Sequence, residues 1–490
     1  MKRRFLLFFF VSVALLAAAC TAEKNQTPTT PTGPHVHTWS AATCKAPKTC
    51  AECDATEGKV SAHLFENYKC KYCGIDQASE GLEFKKSDDS CSVIGLGSCT
   101  DLSIVIPSAY EGLPVTGIEQ NAFAKSKVVK VTIPETVTSI GKGAFQGCGN
   151  LESITIPEGV SKIQDDTFME CYKLRSVALP ESLITIGNQA FSSCIALEEI
   201  TLPSRVAYIG QLAFQNCKKL TEVTIPKGVT ALKTGIFSGC DALRNVTIPE
   251  SVKEIGDSAF HACYSLESAV IPKGVACIEG GTFAYCGELK RVDLPDTVTS
   301  IGEGAFSYCE KLSDITVPGG VNSIGNSAFI GCKSLPSITV PEGVTCIWHT
   351  TFFECTSLTK VEILGQVTSI GEHAFANCSS LVSITIPDSV TIIGANVFTG
   401  CTKLTSITIP DGNTAIRRNS FSGCENLTTV VIGKDVTRIE EKAFAYCKNL
   451  TSIRFQGTVA QWNAISCSKE WRLESPIAKV ICKDGTVDLK

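Results

Sequence analysis

The residues best suited to chemistry lie together near the N-terminus. Two C-x-x-C pairs, Cys50/Cys53 and Cys70/Cys73, stand sixteen residues apart, with His37, Cys44 and His63 in the same stretch. Tetrahedral zinc takes four soft or borderline ligands, and each C-x-x-C turn presents two thiolates to one metal. The spacing suits a single structural zinc on the four cysteines. His37, Cys44 and His63 offer ligands for a second or alternative site. In an exported chain the same residues would alternatively form two disulfides. Either staple would hold roughly 40 residues that have few apolar side chains to bury. No ligand set with an open coordination position is evident, so the metal is expected to be structural.

Elsewhere the chemistry is sparse. The chain has six histidines, three of them before residue 64. His261, His349 and His373 sit at unrelated places, and none has an evident orienting partner of the kind a catalytic base needs. No G-x-S-x-G, H-E-x-x-H, phosphate-binding or dinucleotide fingerprint occurs. Glu199, Glu222, Asp293, Asp314 and Glu362 fall on outward strand positions. Two such carboxylates would serve a glycosidase in principle, but a solvated sheet face explains them better.

Composition narrows the classes further. The 490 residues are 44% hydrophobic and 19% charged, with a net charge of -5. That balance excludes a disordered chain and argues against a nucleic-acid partner, which needs a basic face. There are 26 cysteines and 23 phenylalanines. A chain this long with that many cysteines is not a small disulfide scaffold.

The first residues read as an export signal. Lys2, Arg3 and Arg4 precede an apolar run from Phe5 to Leu16, shorter than the roughly 20 residues of a membrane span. Ala17-Ala18-Ala19-Cys20 resembles a bacterial lipobox, with Ala17 where Leu is usual. The resemblance implies cleavage before Cys20 and lipidation of its thiol. A plain secretory signal cut after Ala19 is the alternative. Signal peptide 1–19 is then followed by a Thr/Pro-rich tether, 20–34, and by the Cys/His module, 35–75. The mature protein is expected to be held by lipid alone.

The remainder repeats. After Phe123 and Phe145, phenylalanine recurs every 23 residues from Phe168 to Phe444. From Phe145 onward each is followed at three residues by a cysteine, Cys148 to Cys447, and at six by a leucine, Leu151 to Leu450. In Val137 to Pro157, Leu151, Ile154 and Ile156 carry strand periodicity toward a core. Pro157 ends the strand because it has no N–H to donate. Gly141 permits a tight turn, and GAFQGC has the length of one short helical turn. A single unit cannot bury its own apolar face, so units must stack into a solenoid with a parallel sheet along one side.

Fourteen copies of F-x-x-C-x-x-L resemble the BspA type of leucine-rich repeat, seen on bacterial surface proteins. The resemblance covers about 360 residues. Leu102 to Phe123 is similar to the usual opening unit, but its Pro-to-Phe step is sixteen residues, against eleven from Pro134 to Phe145. The C-terminal segment is similar to the usual cap. The expected organisation is an N-terminal cap and opening repeat at 76–122, the array at 123–456 and a cap at 457–490. Residues 35–74 also resemble small Cys/His modules found beside such repeats, zinc-ribbon-like in their spacing. The resemblance implies a non-enzymatic, lipid-anchored protein of the bacterial cell surface that binds protein or another surface macromolecule in adhesion. The alternatives are an envelope protein that binds its own cell surface, or a carbohydrate-active enzyme.

Two surface features complete the expectation. The ladder cysteines point inward and read as reduced, buried thiols, while Cys467/Cys482 and Cys91/Cys99 stay open as pairs or free thiols. On the outward strand face, threonine recurs from Thr155 to Thr408 and serine from Ser153 to Ser452. Arg291, Asp293, Asp314, Lys360 and Glu362 interrupt this Ser/Thr face and are the candidate partner-binding residues.

Overall fold

A computed structural model describes residues 77–489, together with the backbone of four short strands, Lys48–Thr49, Thr56–Glu57, Phe65–Glu66 and Lys69–Cys70. Those four pair as two antiparallel ribbons, Lys48 opposite Glu57 and Phe65 opposite Cys70. The side chains of the expected zinc ligands Cys50, Cys53, Cys70 and Cys73, with His37, Cys44 and His63, lie outside the described residues, as does Cys20. Residues 78–490 form one compact unit.

That unit is a right-through stack of parallel coils. Strands such as Lys130–Thr132, Ser153–Thr155 and Ser176–Ala178 pair in register, Lys130 opposite Ser153 and Ile154 opposite Val177. Because one coil is 23 residues, equivalent side chains of successive coils lie directly beside one another. Along this front ladder the middle residue points inward and its two neighbours outward, as in Ser153–Ile154–Thr155. The alternation is the ordinary two-residue period of a strand.

A second, back ladder was not anticipated. Ser139–Ile140, Lys162–Ile163 and Thr185–Ile186 begin a series of two-residue strands that continues to Ser466–Cys467. From Ser139–Ile140 to Arg438–Ile439 the second residue of each pair is buried, and the one before it faces out or is half-covered except at Ala415. Each coil is therefore pinned on two sides.

The segment around each phenylalanine closes the third side as a turn rather than a helix. Two residues per turn adopt positive φ, at two before and two after the phenylalanine: Asp166 (57°) and Glu170 (62°) around Phe168, Leu212 (56°) and Asn216 (57°) around Phe214. This alternation points every second amide along the stack. Gly143, Phe145 and Gly147 donate to the carbonyls of Asp165, Thr167 and Met169 in the next coil, at 3.0, 2.9 and 2.7 Å. Every side of the coil thus hydrogen-bonds to its neighbour, which answers the requirement that buried backbone groups be paired.

The core is a column of repeated side chains. Phe145, Cys148 and Leu151 and their equivalents are fully buried. Successive phenylalanine rings stack, with centroids 5.3 Å apart for Phe123–Phe145 and 5.4 Å for Phe191–Phe214. Each ladder thiol also donates a hydrogen bond. Cys171 Sγ reaches the carbonyl of Phe145 at 3.2 Å, and Cys286 Sγ that of Phe260 at 3.2 Å. The Phe145 carbonyl already accepts the Cys148 amide at 3.1 Å, so the thiol of the next coil fills its second lone pair. Cysteine is small enough for the turn and still supplies this donor, which a purely apolar residue would not.

Both ends of the stack are covered. At the start, Glu83–Lys86 pairs antiparallel with Cys91–Gly95, which lies parallel to Leu113–Ile118. The longer Pro-to-Phe loop of the opening unit is a β-hairpin, Ala109–Tyr110 against Leu113–Ile118. Glu111 and Gly112 at its tip have φ of 48° and 83°, the positive-φ pair that suits a two-residue hairpin turn. At the end, Trp471 meets Phe444 edge-on at 6.0 Å and Trp462 at 6.4 Å. Helix Val459–Asn463 carries Trp462 and starts with a capping box between Thr458 and Gln461. Lys479–Cys482 and Gly485–Asp488 close the front ladder as an antiparallel pair. Cys467, Cys482, Cys91 and Cys99 are free thiols.

Candidate binding surfaces

Because the repeated apolar positions are committed to the core, any site must be built from the outward columns. On the front ladder the sequence-derived candidates divide into two groups. Arg291 bonds Asp293 on its own strand at 2.7 Å and Asp314 on the next coil at 3.4 Å. Lys360 bonds Glu362 at 3.1 Å. Between the groups runs Ser337–Val340, whose Ser337 and Thr339 lie opposite Lys360 and Glu362. The five residues thus form a triad and a pair, separated by one Ser/Thr coil. All are solvent-exposed side chains, so each pair contributes little to stability and remains available to a partner.

At the turn edge, Tyr285 stacks on Tyr308 at 5.1 Å, and His261 meets Tyr285 edge-on at 5.4 Å. Both tyrosines hold positive φ, 62° and 54°, where Gly147, Gly239 and Gly331 stand in other coils. Partial burial lowers the His261 pKa, which favours the neutral ring.

The back face carries a feature that the sequence reading missed. Four residues before each ladder phenylalanine stands a column that is glycine in Gly302, Gly325, Gly371 and Gly394. A Cβ there would press on the preceding coil, for example 2.6 Å from the amide nitrogen of His349 at Gly371, and 2.6 Å from that of Glu372 at Gly394. Trp348 and Arg417 break this column, three coils apart, or about 14 Å. With only Gly371 and Gly394 between them, they become the end walls of an open trench of about 670 Å³. Ile392 and Ser369 line one flank, and His349, Glu372 and Arg418 the other. A narrower trench of about 460 Å³ arises in the same way, where Lys233 and Glu279 flank Gly256. Aligning the copies on their phenylalanines would have shown these breaks in the glycine column.

The ladder thiols are not a reactive site. Burial pushes Cys286, Cys378 and Cys447 up to about 12, and raises Cys217, Cys240 and Cys309 strongly in the same direction. A thiol needs its anion to react. Cys277 and Cys346, half-buried on the back ladder, are each within 3.0 Å of a serine hydroxyl, Ser300 and Ser369. Among the described residues no cluster of three or more His, Cys, Asp or Glu could hold a metal, and no helix is long and apolar enough to cross a membrane.

Parallel strands, a leucine column and a turn at each coil define a leucine-rich-repeat solenoid. The chain belongs to the BspA type leucine rich repeat family, whose pattern matches residues 116–244, 234–359 and 345–474. Among solved structures it is similar to a leucine-rich repeat protein from Bacteroides ovatus, with 29% identity, a TM-score of 0.62, and coverage of 81% of this chain and 97% of that one. It also matches a leucine rich cell surface protein from Faecalibacterium prausnitzii, at 28% identity and TM-score 0.36, over 80% of this chain and 97% of that one. A leucine rich repeat protein of T. pallidum matches at 34% identity and TM-score 0.37, over 39% of this chain and 90% of that one. No curated protein matches the sequence.

Proposed function

We propose that this is an exported, non-enzymatic surface lipoprotein that presents its solenoid to a protein on another cell, in adhesion. The observation that carries this reading is the division of labour within each coil. Leu, Ile, Phe and Cys are spent on the core, while the outward front positions are exposed and vary at little cost to stability. The Arg291–Asp293–Asp314 triad and the Lys360–Glu362 pair supply specificity on that face. Cys20 carries the lipid that tethers the array to the cell envelope. Cys50, Cys53, Cys70 and Cys73 hold a structural zinc that stiffens the base of the display.

The test uses the mature chain and intact target cells, before and after protease shaving. Shaving should abolish capture. Reversing Arg291, Asp314 and Lys360 should weaken capture roughly fivefold or more, about 1 kcal/mol, with the melting transition nearly unmoved. Capture that survives shaving, or is indifferent to the charge reversals, refutes this reading. Retention on the producing cell's own envelope with no capture of other cells would assign a structural role instead. Cys20→Ala should move the protein from the detergent phase to the aqueous phase, and unchanged partitioning would remove the anchor.

A further inference from the structure

The back-face trench has a composition of its own. Trp348 and Ile392 are 45% and 56% exposed, a large apolar surface left in water at one place. Across from it stand polar groups with spare capacity. The His349 Nδ1 accepts the Glu372 amide at 3.2 Å, so the neutral imidazole carries its proton on Nε2 and can donate it. Neither the Glu372 carboxylate nor the Arg418 guanidinium enters an ion pair among the described residues. Glu440, by contrast, is neutralised by Arg417 at 3.5 Å and Arg438 at 3.0 Å.

This cross-section is amphipathic and close to electrically neutral. Glu372 and Arg418 cancel, so nothing favours a phosphate or other strongly anionic ligand. One indole and one isoleucine are too little apolar surface to anchor an amphipathic helix. What remains is a ligand that is flat, apolar on one face and bears groups at its rim that both donate and accept hydrogen bonds. A pyranose ring meets each requirement. Its C–H groups pack on an aromatic face, and its hydroxyls donate to a carboxylate and accept from an imidazole N–H.

We propose that the trench binds one hexopyranose ring of a neutral glycan, stacked on Trp348 and held at its hydroxyls by His349 of the same coil and Glu372 of the next. The site is distinct from the charged front face and does not depend on it.

The test titrates the mature full-length chain with glucose, galactose, mannose and N-acetylglucosamine, read by calorimetry and by indole fluorescence. At least one sugar should bind saturably. Trp348→Gly restores the residue that Gly325 and Gly371 carry at this position, so the variant should melt as the parent does. It should lose roughly tenfold or more in affinity, as removal of a central aromatic contact does. Trp348→Tyr should retain binding, and Glu372→Gln should weaken it. Reversal of Arg291 and Asp314 should leave sugar binding unchanged, which separates this site from the front-face reading. Absence of saturable binding by all four sugars would overturn the proposal. So would binding that persists in Trp348→Gly. Loss of cell capture in Trp348→Gly with no sugar response would make the trench a protein contact and overturn it equally.

Discussion

At the scale of single residues, the ladder cysteine has the most defined role. It fills a turn too tight for a larger side chain and donates to the phenylalanine carbonyl of the preceding coil. Burial also ties it to pH. An unfolded thiol ionises near 8.5, whereas Cys286, Cys378 and Cys447 are pushed up to about 12. Above about pH 8.5 the unfolded chain releases protons that the folded chain retains. Stability is therefore full below that pH and falls as pH rises toward 12, by about 1.4 kcal/mol per pH unit for each such thiol. Circular dichroism against pH should show a steep alkaline unfolding transition, less steep when Cys286 and Cys378 are replaced by alanine. An equal slope in the variant would remove the thiols as its cause. At pH 8 an alkylating reagent should label exposed Cys467 and spare the ladder until the protein unfolds.

At the scale of elements, each coil is a front strand, a turn and a short back strand, and their differences follow from local chemistry. The turn tolerates Glu, Asn, Ser and Tyr at positive φ as well as glycine, because three inter-coil hydrogen bonds hold it in place. Non-glycine residues at positive φ are uncommon elsewhere. The N-terminal ribbons belong to the same scale. Cys70 ends a strand paired with Phe65–Glu66, and Cys50 directly follows the strand Lys48–Thr49 in sequence. Metal analysis of the mature chain, purified under reducing conditions, should give about one zinc, lost when Cys50 and Cys53 are both changed to serine. Two intact disulfides without metal would replace zinc as the staple.

At the scale of the whole molecule, the solenoid is a one-dimensional stack in which each coil touches only its neighbours. With about seventeen coils, from Ser103–Val105 to Lys479–Cys482 on the front ladder, at roughly 4.8 Å each, it extends about 80 Å. Phe306 lies in the middle, fully buried, with ring centroids 5.7 Å from Phe283 and 5.4 Å from Phe329. Phe306→Ala should cost about 3–5 kcal/mol. In a stack such a defect also weakens the coupling between the two halves. Denaturant titration should show a broadened or two-step transition, and a single unbroken transition at nearly parental midpoint would contradict the column's role. The terminal tryptophans follow the same logic, since Trp471 covers the last ring, Phe444, which would otherwise face water.

The 23-residue recurrence of Phe, Cys and Leu determined the coil, its core and the in-register parallel sheet, because identical spacing can bury an apolar column only by stacking. It also singled out Arg291, Asp293, Asp314, Lys360 and Glu362 as interruptions of a Ser/Thr face. Tertiary structure alone decided how those charges pair: Arg291 reaches across to Asp314 because one coil places their strands side by side, while Lys360 turns to Glu362 on its own strand. The back ladder escaped notice because two residues such as Lys162–Ile163 are too short for an alternating pattern to register. The trench was hidden for a related reason. Trp348 and Arg417 are 69 positions apart in sequence, and only coiling brings them to opposite ends of the same glycine floor, with His349, Glu372 and Arg418 along one flank.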